Sequence, residues 1–212
     1  MSLTKATETM FLEIEKRGIL LEKLNALEMF ARDGTWHTTY YENKVKTLEV
    51  WEVDPNWEKD LKKNLPKAKV RILDSIKNIQ TYKKLSKFSL IVIDNPMNIY
   101  GDECIDIGNM HCEHFDVINN INKIMDKEAV VVFNVNRCPF DYDKFPIWKN
   151  RREEFYGNEN SDNMTLDFLF DFYEKLFKNL NLKTLFRFSV DRMLNERDNT
   201  VYYFVYKLKK LQ

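Results

Sequence analysis

The sequence predicts an open α/β sheet, parallel except near its end, in a single domain covering residues 1–212. Three observations carry that prediction. Short apolar runs alternate with segments of helical period, as βα units do. Two of the runs, Phe88–Ile93 (FSLIVI) and Ala129–Asn134 (AVVVFN), are continuously apolar, which suits parallel strands buried on both faces. Near the end, Thr184–Val190 and Thr200–Leu208 read as strands around the turn-rich stretch Asn195–Asn199, the pattern of an antiparallel hairpin.

The elements follow in order. Lys5–Leu24 spaces Met10, Phe11, Ile14, Ile19, Leu20 and Leu24 near helical period, with Gly18 weakening its middle. Residues 1–24 thus form an N-terminal helical segment lying over the sheet or roofing a pocket. Asn25–Gly34 (NALEMFARDG) reads as a buried strand that ends in a carboxylate and turns sharply at Gly34 into a short helix. Thr47–Val53 is the second strand, closed by Glu52-Val53-Asp54-Pro55, and Asn56–Leu65 is a helix stopped by Pro66. Lys69–Leu73 is a third strand ending at Asp74-Ser75, followed by a helix over Ile76–Leu85. Phe88–Ile93 stops at Asp94-Asn95-Pro96. A loop then leads to a helix around Phe115–Met125, and Ala129–Asn134 is the fifth strand. Polar, aromatic and aperiodic, residues 138–163 read as an inserted lid-like segment rather than a core element. Met164–Leu180 has helical period.

With 212 residues, 44% hydrophobic and 14% aromatic, the chain can bury a substantial core. Lys+Arg and Asp+Glu are both 33, so no general field favours nucleic acid or anionic membrane, and only a local basic patch stays open. Cys104, Cys112 and Cys138 are odd in number and irregularly spaced, which points to reduced thiols and a cytoplasmic setting. No apolar run reaches the ~18 residues of a membrane span, and the N-terminus lacks a signal-peptide layout.

In open α/β sheets, ligands sit beyond the carboxyl ends of the strands, where strand order reverses. The first four strands each carry an acid there: Glu28, Glu52, Asp74 and Asp94. A strand, a glycine turn, a helix and a second strand closed by acid is the plan of a nucleotide-type pocket, in which the later carboxylate accepts hydrogen bonds from ribose hydroxyls.

This ordered series resembles the class I S-adenosylmethionine-dependent methyltransferases. ALEMFARDG is similar to the LDLFAGSG-type first motif of ribosomal RNA guanine methyltransferases and their relatives, and LEVWEVDP to the VxxVEIDP second motif. VRILDS looks like the third strand with its acid, and FSLIVIDNPM resembles the FDLIxLDPPY fourth motif. The resemblance covers roughly Asn25–Asn134. It implies a Rossmann-like three-layer α/β/α domain whose mostly parallel seven-stranded sheet ends in the antiparallel hairpin, and S-adenosylmethionine as cofactor.

By that resemblance Glu28 orients the methionine amino group, and Gly34 with the Phe30–Asp33 backbone runs beneath the methionine part. Glu52 holds both ribose hydroxyls and Val53 packs on adenine. Asp74 faces the adenine amino group, with Ser75 supplying a backbone N–H. Asp94, Asn95 and Pro96 border the methyl group and the incoming nucleophile. The family's first motif has glycines where this chain has Phe30 and Arg32. The alternative function is therefore a non-catalytic interaction module of the same fold, its cofactor pocket occluded by those two side chains.

Methyl transfer rests on in-line positioning more than on acid–base chemistry. A protonated nucleophile still needs a proton acceptor, and the candidates are Asp94, the Asn95 carbonyl, His111 and His114. His37 could face the pocket or solvent. Cys104, His111, Cys112 and His114 form no CxxC pair, so a metal site is not assigned. Trp36, Trp51 and Trp57 read as core or pocket-wall residues. The methyl acceptor, small molecule or macromolecule, is left open, as is the oligomeric state.

Overall fold

The computed structural model describes residues 3–82, 87–93, 114–136, 146–157, 164–193 and 200–211. Its seven strands are β1 (Asn25–Met29), β2 (Thr47–Glu52), β3 (Lys69–Ile72), β4 (Phe88–Ile93), β5 (Met125–Asn136), β6 (Leu182–Met193) and β7 (Thr200–Lys210). They form one sheet in the order β3-β2-β1-β4-β5-β7-β6. The first five are parallel and β7 runs antiparallel to both β5 and β6. Strand order reverses between β1 and β4, so the switch point lies where the resemblance put the pocket.

Side chains that alternate along each strand divide the core into two layers. Leu27 and Met29 of β1, Ile91 and Ile93 of β4, and Val131 and Phe133 of β5 face one layer. Ala26, Leu90, Val92, Val130 and Val132 face the other. The continuous apolar runs are thus buried on both sides, as the sequence requires.

Helix α1 (Leu3–Lys16) buries Ala6, Met10, Phe11 and Ile14 over the second layer and packs on β6. It lies over the sheet and ends ahead of Gly18, whose φ of 80° breaks the helical path. The short helix α2 (Thr38–Tyr41) and α3 (Glu58–Asn64) share that side, through Tyr41, Leu61 and Leu65. Helices α4 (Ser75–Gln80), α5 (Phe115–Ile118), α6 (Ile121–Ile124) and α8 (Leu166–Asn179) cover the opposite side. The expected helix around Phe115–Met125 is two single turns broken at Asn119-Asn120. Asn120 gives its side-chain amide to the Asp116 carbonyl, a local bond that competes with helix propagation.

The segment read as an insertion contains helix α7 (Pro146–Tyr156), and part of it belongs to the core. Arg152 and Tyr156 are buried, and Phe155 stacks on Phe115 with ring centroids 3.9 Å apart. Flanking charges hide this apolar contact from any periodicity measure. Trp51 lies in the core, whereas Trp36 is 38% exposed. The hairpin tip Asn195–Asn199 lies outside the described residues.

Candidate active site

At the carboxyl end of β1 the chain makes a loop with three left-handed residues spaced two apart: Phe30 (φ 60°), Arg32 (φ 52°) and Gly34 (φ 77°). Only one is glycine. Left-handed backbone costs an ordinary L-residue roughly 1–2 kcal/mol, so Phe30 and Arg32 hold the turn by outside contacts. The Phe30 amide donates to the Trp51 carbonyl at 3.1 Å, and its ring packs against the layer that includes Trp51 and Ile76. The Arg32 amide donates to Glu52 Oε2 at 2.7 Å, and its guanidinium sits 5.0 Å above the Trp57 ring.

Glu52 is the hub of this rim. It is 5% exposed at the last position of β2. Besides Arg32, its Oε1 accepts the amides of Val53 at 2.8 Å and Asp54 at 2.9 Å. Three amide bonds leave the carboxylate one further acceptor direction. Val53, next to it, is 38% exposed and offers an apolar surface at the rim.

Asp74 follows β3 and caps α4, its Oδ1 accepting the amides of Ile76 at 2.9 Å and Lys77 at 3.1 Å. Its Oδ2 lies 3.6 Å from Lys77 Nζ. Ser75 opens the helix and is buried. Asp94, Asn95, Pro96 and His111 lie outside the described residues. Among the described expectations, the structure gathers Phe30, Gly34, Glu52, Val53, Asp74 and Ser75 at the carboxyl edge of β1, β2 and β3.

Four expectations are corrected. Glu28 lies within β1, paired in register with Val50 and Val92 and facing the same layer as they do. It is 1% exposed; Oε1 lies 3.0 Å from His37 Nε2, and Oε2 accepts the Tyr41 hydroxyl. Strand alternation points this carboxylate into the core, so it braces α2 rather than orienting an amino group in the pocket. His37, 1% exposed with an edge-on contact to Tyr203, faces neither pocket nor solvent.

Gly34 makes room for a helix, not for ligand. A Cβ there would come within 2.6 Å of Leu65 Cδ1 and 2.9 Å of Leu65 Cγ. His114, a candidate proton acceptor, is fully buried among Phe115, Phe133 and Phe155, with Nε2 2.6 Å from the Tyr173 hydroxyl. Burial pushes its pKa down to about 3, with a hydrogen bond to the Asn134 backbone opposing. It is a neutral core residue. His37 and Tyr41 as partners of Glu28 had no sequence signal, since they lie past an irregular turn.

No protein-family model matches the sequence, and no curated protein matches it at a significant level. Solved structures do match the fold. NodS, an N-methyltransferase from Bradyrhizobium japonicum WM9, superposes with a TM-score of 0.56 at 12% identity, over 98% of this chain and 95% of that one. The magnesium protoporphyrin IX methyltransferase ChlM from Synechocystis PCC 6803, with bound S-adenosylhomocysteine, gives 0.55 at 8% identity over 98% and 82%. An inferred RNA methyltransferase from Pyrococcus horikoshii gives 0.56 at 14% over 98% and 84%. The fold is that of the class I methyltransferases.

Proposed function

We propose that this chain is an S-adenosylmethionine-dependent methyltransferase. The observation that carries the reading is the loop between β1 and α2, which keeps three left-handed residues two apart although two of them are Phe30 and Arg32. Strained backbone of this kind persists where a site demands it. Tied by Arg32 N–H to Glu52, the loop sits at the switch point of a sheet shared with methyltransferases.

The residues present fit the cofactor in kind. Glu52 would receive a ribose hydroxyl through its open acceptor direction. Val53 would lie against adenine, with Asp74 and Ser75 near its amino edge. Phe30 and the Phe30–Asp33 backbone would border the methionine part. When bound, S-adenosylmethionine supplies an electrophilic methyl group on a sulfonium cation, and carboxylates at the rim suit that charge better than they suit a pyrophosphate. Asp94, Asn95 and Pro96 would stand beside the acceptor, with the Asp94 carboxylate or Asn95 carbonyl taking its proton. The acceptor is proposed only as a small molecule or macromolecule bearing a nucleophilic heteroatom. Among the described residues no helix is long and apolar enough to cross a membrane.

Calorimetric titration with S-adenosylhomocysteine tests the reading. Saturable binding that weakens about tenfold or more in Glu52→Ala supports it. A folded protein showing no heat at millimolar ligand favours the occluded interaction module instead.

A further inference from the structure

The amino ends of the parallel strands, the edge opposite the proposed cofactor site, hold a cleft of about 670 Å³. Asn25, Thr47, Lys69 and Phe88 line it as the first residues of β1, β2, β3 and β4, and Asp126 lines it from the start of β5. Strands of four to six residues put the two edges roughly 13–20 Å apart. Four lysines converge here from three segments: Lys46 before β2, Lys67 just before and Lys69 at the start of β3, and Lys87 before β4. Formal charge over the whole chain is zero, so this is a local concentration.

Two carboxylates stand among the four lysines and do not fully offset them. They are Glu49 and Asp126. Glu49 is already engaged, with Arg71 at 2.6 Å and the Trp51 indole N–H at 2.8 Å, and Lys69 stands 3.7 Å off. The side-chain ammoniums of Lys46 and Lys67 form no ion pair among the described residues, although the buried Glu42 carboxylate accepts the Lys67 backbone amide at 2.8 Å. Lys87 donates to the Lys123 carbonyl and lies 5.3 Å from the Tyr82 ring centroid, a placement that fixes its ammonium without cancelling its charge. Beside it, Lys210 donates to the Met125 carbonyl at 2.8 Å. The Lys210 pKa is lowered first by burial and second by the charge of Lys87, with Asp126 opposing.

We propose that this cleft binds a compact polyanion, of the class of a polyphosphate chain or a multiply phosphorylated small molecule. Its volume lies in the range of small-molecule sites, and lysine ammoniums are point-charge partners for phosphate oxygens. A nucleic-acid track would extend as a stripe with exposed stacking rings. This cleft is instead bounded by Glu49 and Asp126, and its one ring, Phe88, is buried. The proposal stands independently of the cofactor reading at the opposite edge.

Calorimetry with tripolyphosphate, at ionic strength held constant with sodium chloride, tests it. The expected result is saturable binding by the wild type and affinity reduced about tenfold or more in Lys46→Ala/Lys67→Ala/Lys69→Ala. All three positions are exposed, and Arg71 continues to hold Glu49, so the variant keeps its fold, as an unchanged Tm verifies. The single variant Lys67→Glu should reproduce the loss. Inorganic phosphate should compete weakly with tripolyphosphate. Absence of saturable heat, unchanged affinity in both variants, or binding only to single-stranded RNA with affinity rising with length would each overturn the proposal. S-adenosylhomocysteine titrated into the same variants separates this site from the other, because its affinity should not change.

Discussion

The Arg32 amide donates to the Glu52 carboxylate at 2.7 Å, joining the loop after β1 to the end of β2 across twenty residues of chain. Together with the amides of Val53 and Asp54, it makes one buried side chain the anchor of the whole rim. Replacing Glu52 by alanine strands three donors. The expected loss is about 1–3 kcal/mol of unfolding free energy in urea denaturation, in ligand-free protein.

Gly34 and Arg32 share left-handed backbone but not its consequences. Gly34→Ala meets Leu65 at 2.6 Å and adopts φ 77°, so a loss of about 2–4 kcal/mol is expected. Arg32 is exposed. Arg32→Gly relieves strain but gives up the Trp57 contact and gains unfolded-state entropy, so its change should stay within about 1 kcal/mol. Thermal melts of the two variants side by side check the contrast.

His114 makes stability depend on pH. In the unfolded chain it takes up a proton below its ordinary pKa of 6.5, whereas the folded protein holds it neutral to about 3. The unfolded state binds more protons between those values, so the contribution is complete above pH 6.5 and is lost as pH falls toward 3. By pH 5 the loss from this residue is about 2 kcal/mol. Urea titrations at pH 7 and pH 5 measure it, and His114→Gln should flatten that part of the profile.

Glu28→Ala distinguishes a brace from a ligand contact. Removing the carboxylate leaves His37 and Tyr41 facing a void, and a loss of about 3 kcal/mol is expected without any ligand present. A residue needed only by the cofactor would leave the ligand-free melt unmoved.

These contrasts show what a linear sequence can express. Every predicted strand exists; the runs Phe88–Ile93 and Ala129–Asn134, buried on both faces, report directly on parallel strands, and Phe88–Ile93 matches β4 residue for residue. Glu52 and Asp74 are legible for a similar reason, since each closes its strand. Glu28 differs from the expectation by one step of the pleat: an acid inside a strand and an acid at its end look alike until register decides which layer it enters. Gly34 reads as a site of ligand approach because its neighbour Leu65, the residue that closes α3, lies outside the motif. The core role of Arg152 and Tyr156 depends on Phe115 and Tyr173, which no local period reveals.

The position of β7 between β5 and β6 bears on how the molecule is made. An interior strand is the one that arrives after all the others, so during synthesis β5 keeps an open hydrogen-bonding edge until residues beyond 200 have left the ribosome. Val130, Val132 and Phe133 sit on that unfinished border. The nascent chain is therefore most exposed to mispairing with other chains at this late stage, and substitutions that slow closure of the β6–β7 hairpin should lower the yield of soluble protein more than they lower its final stability.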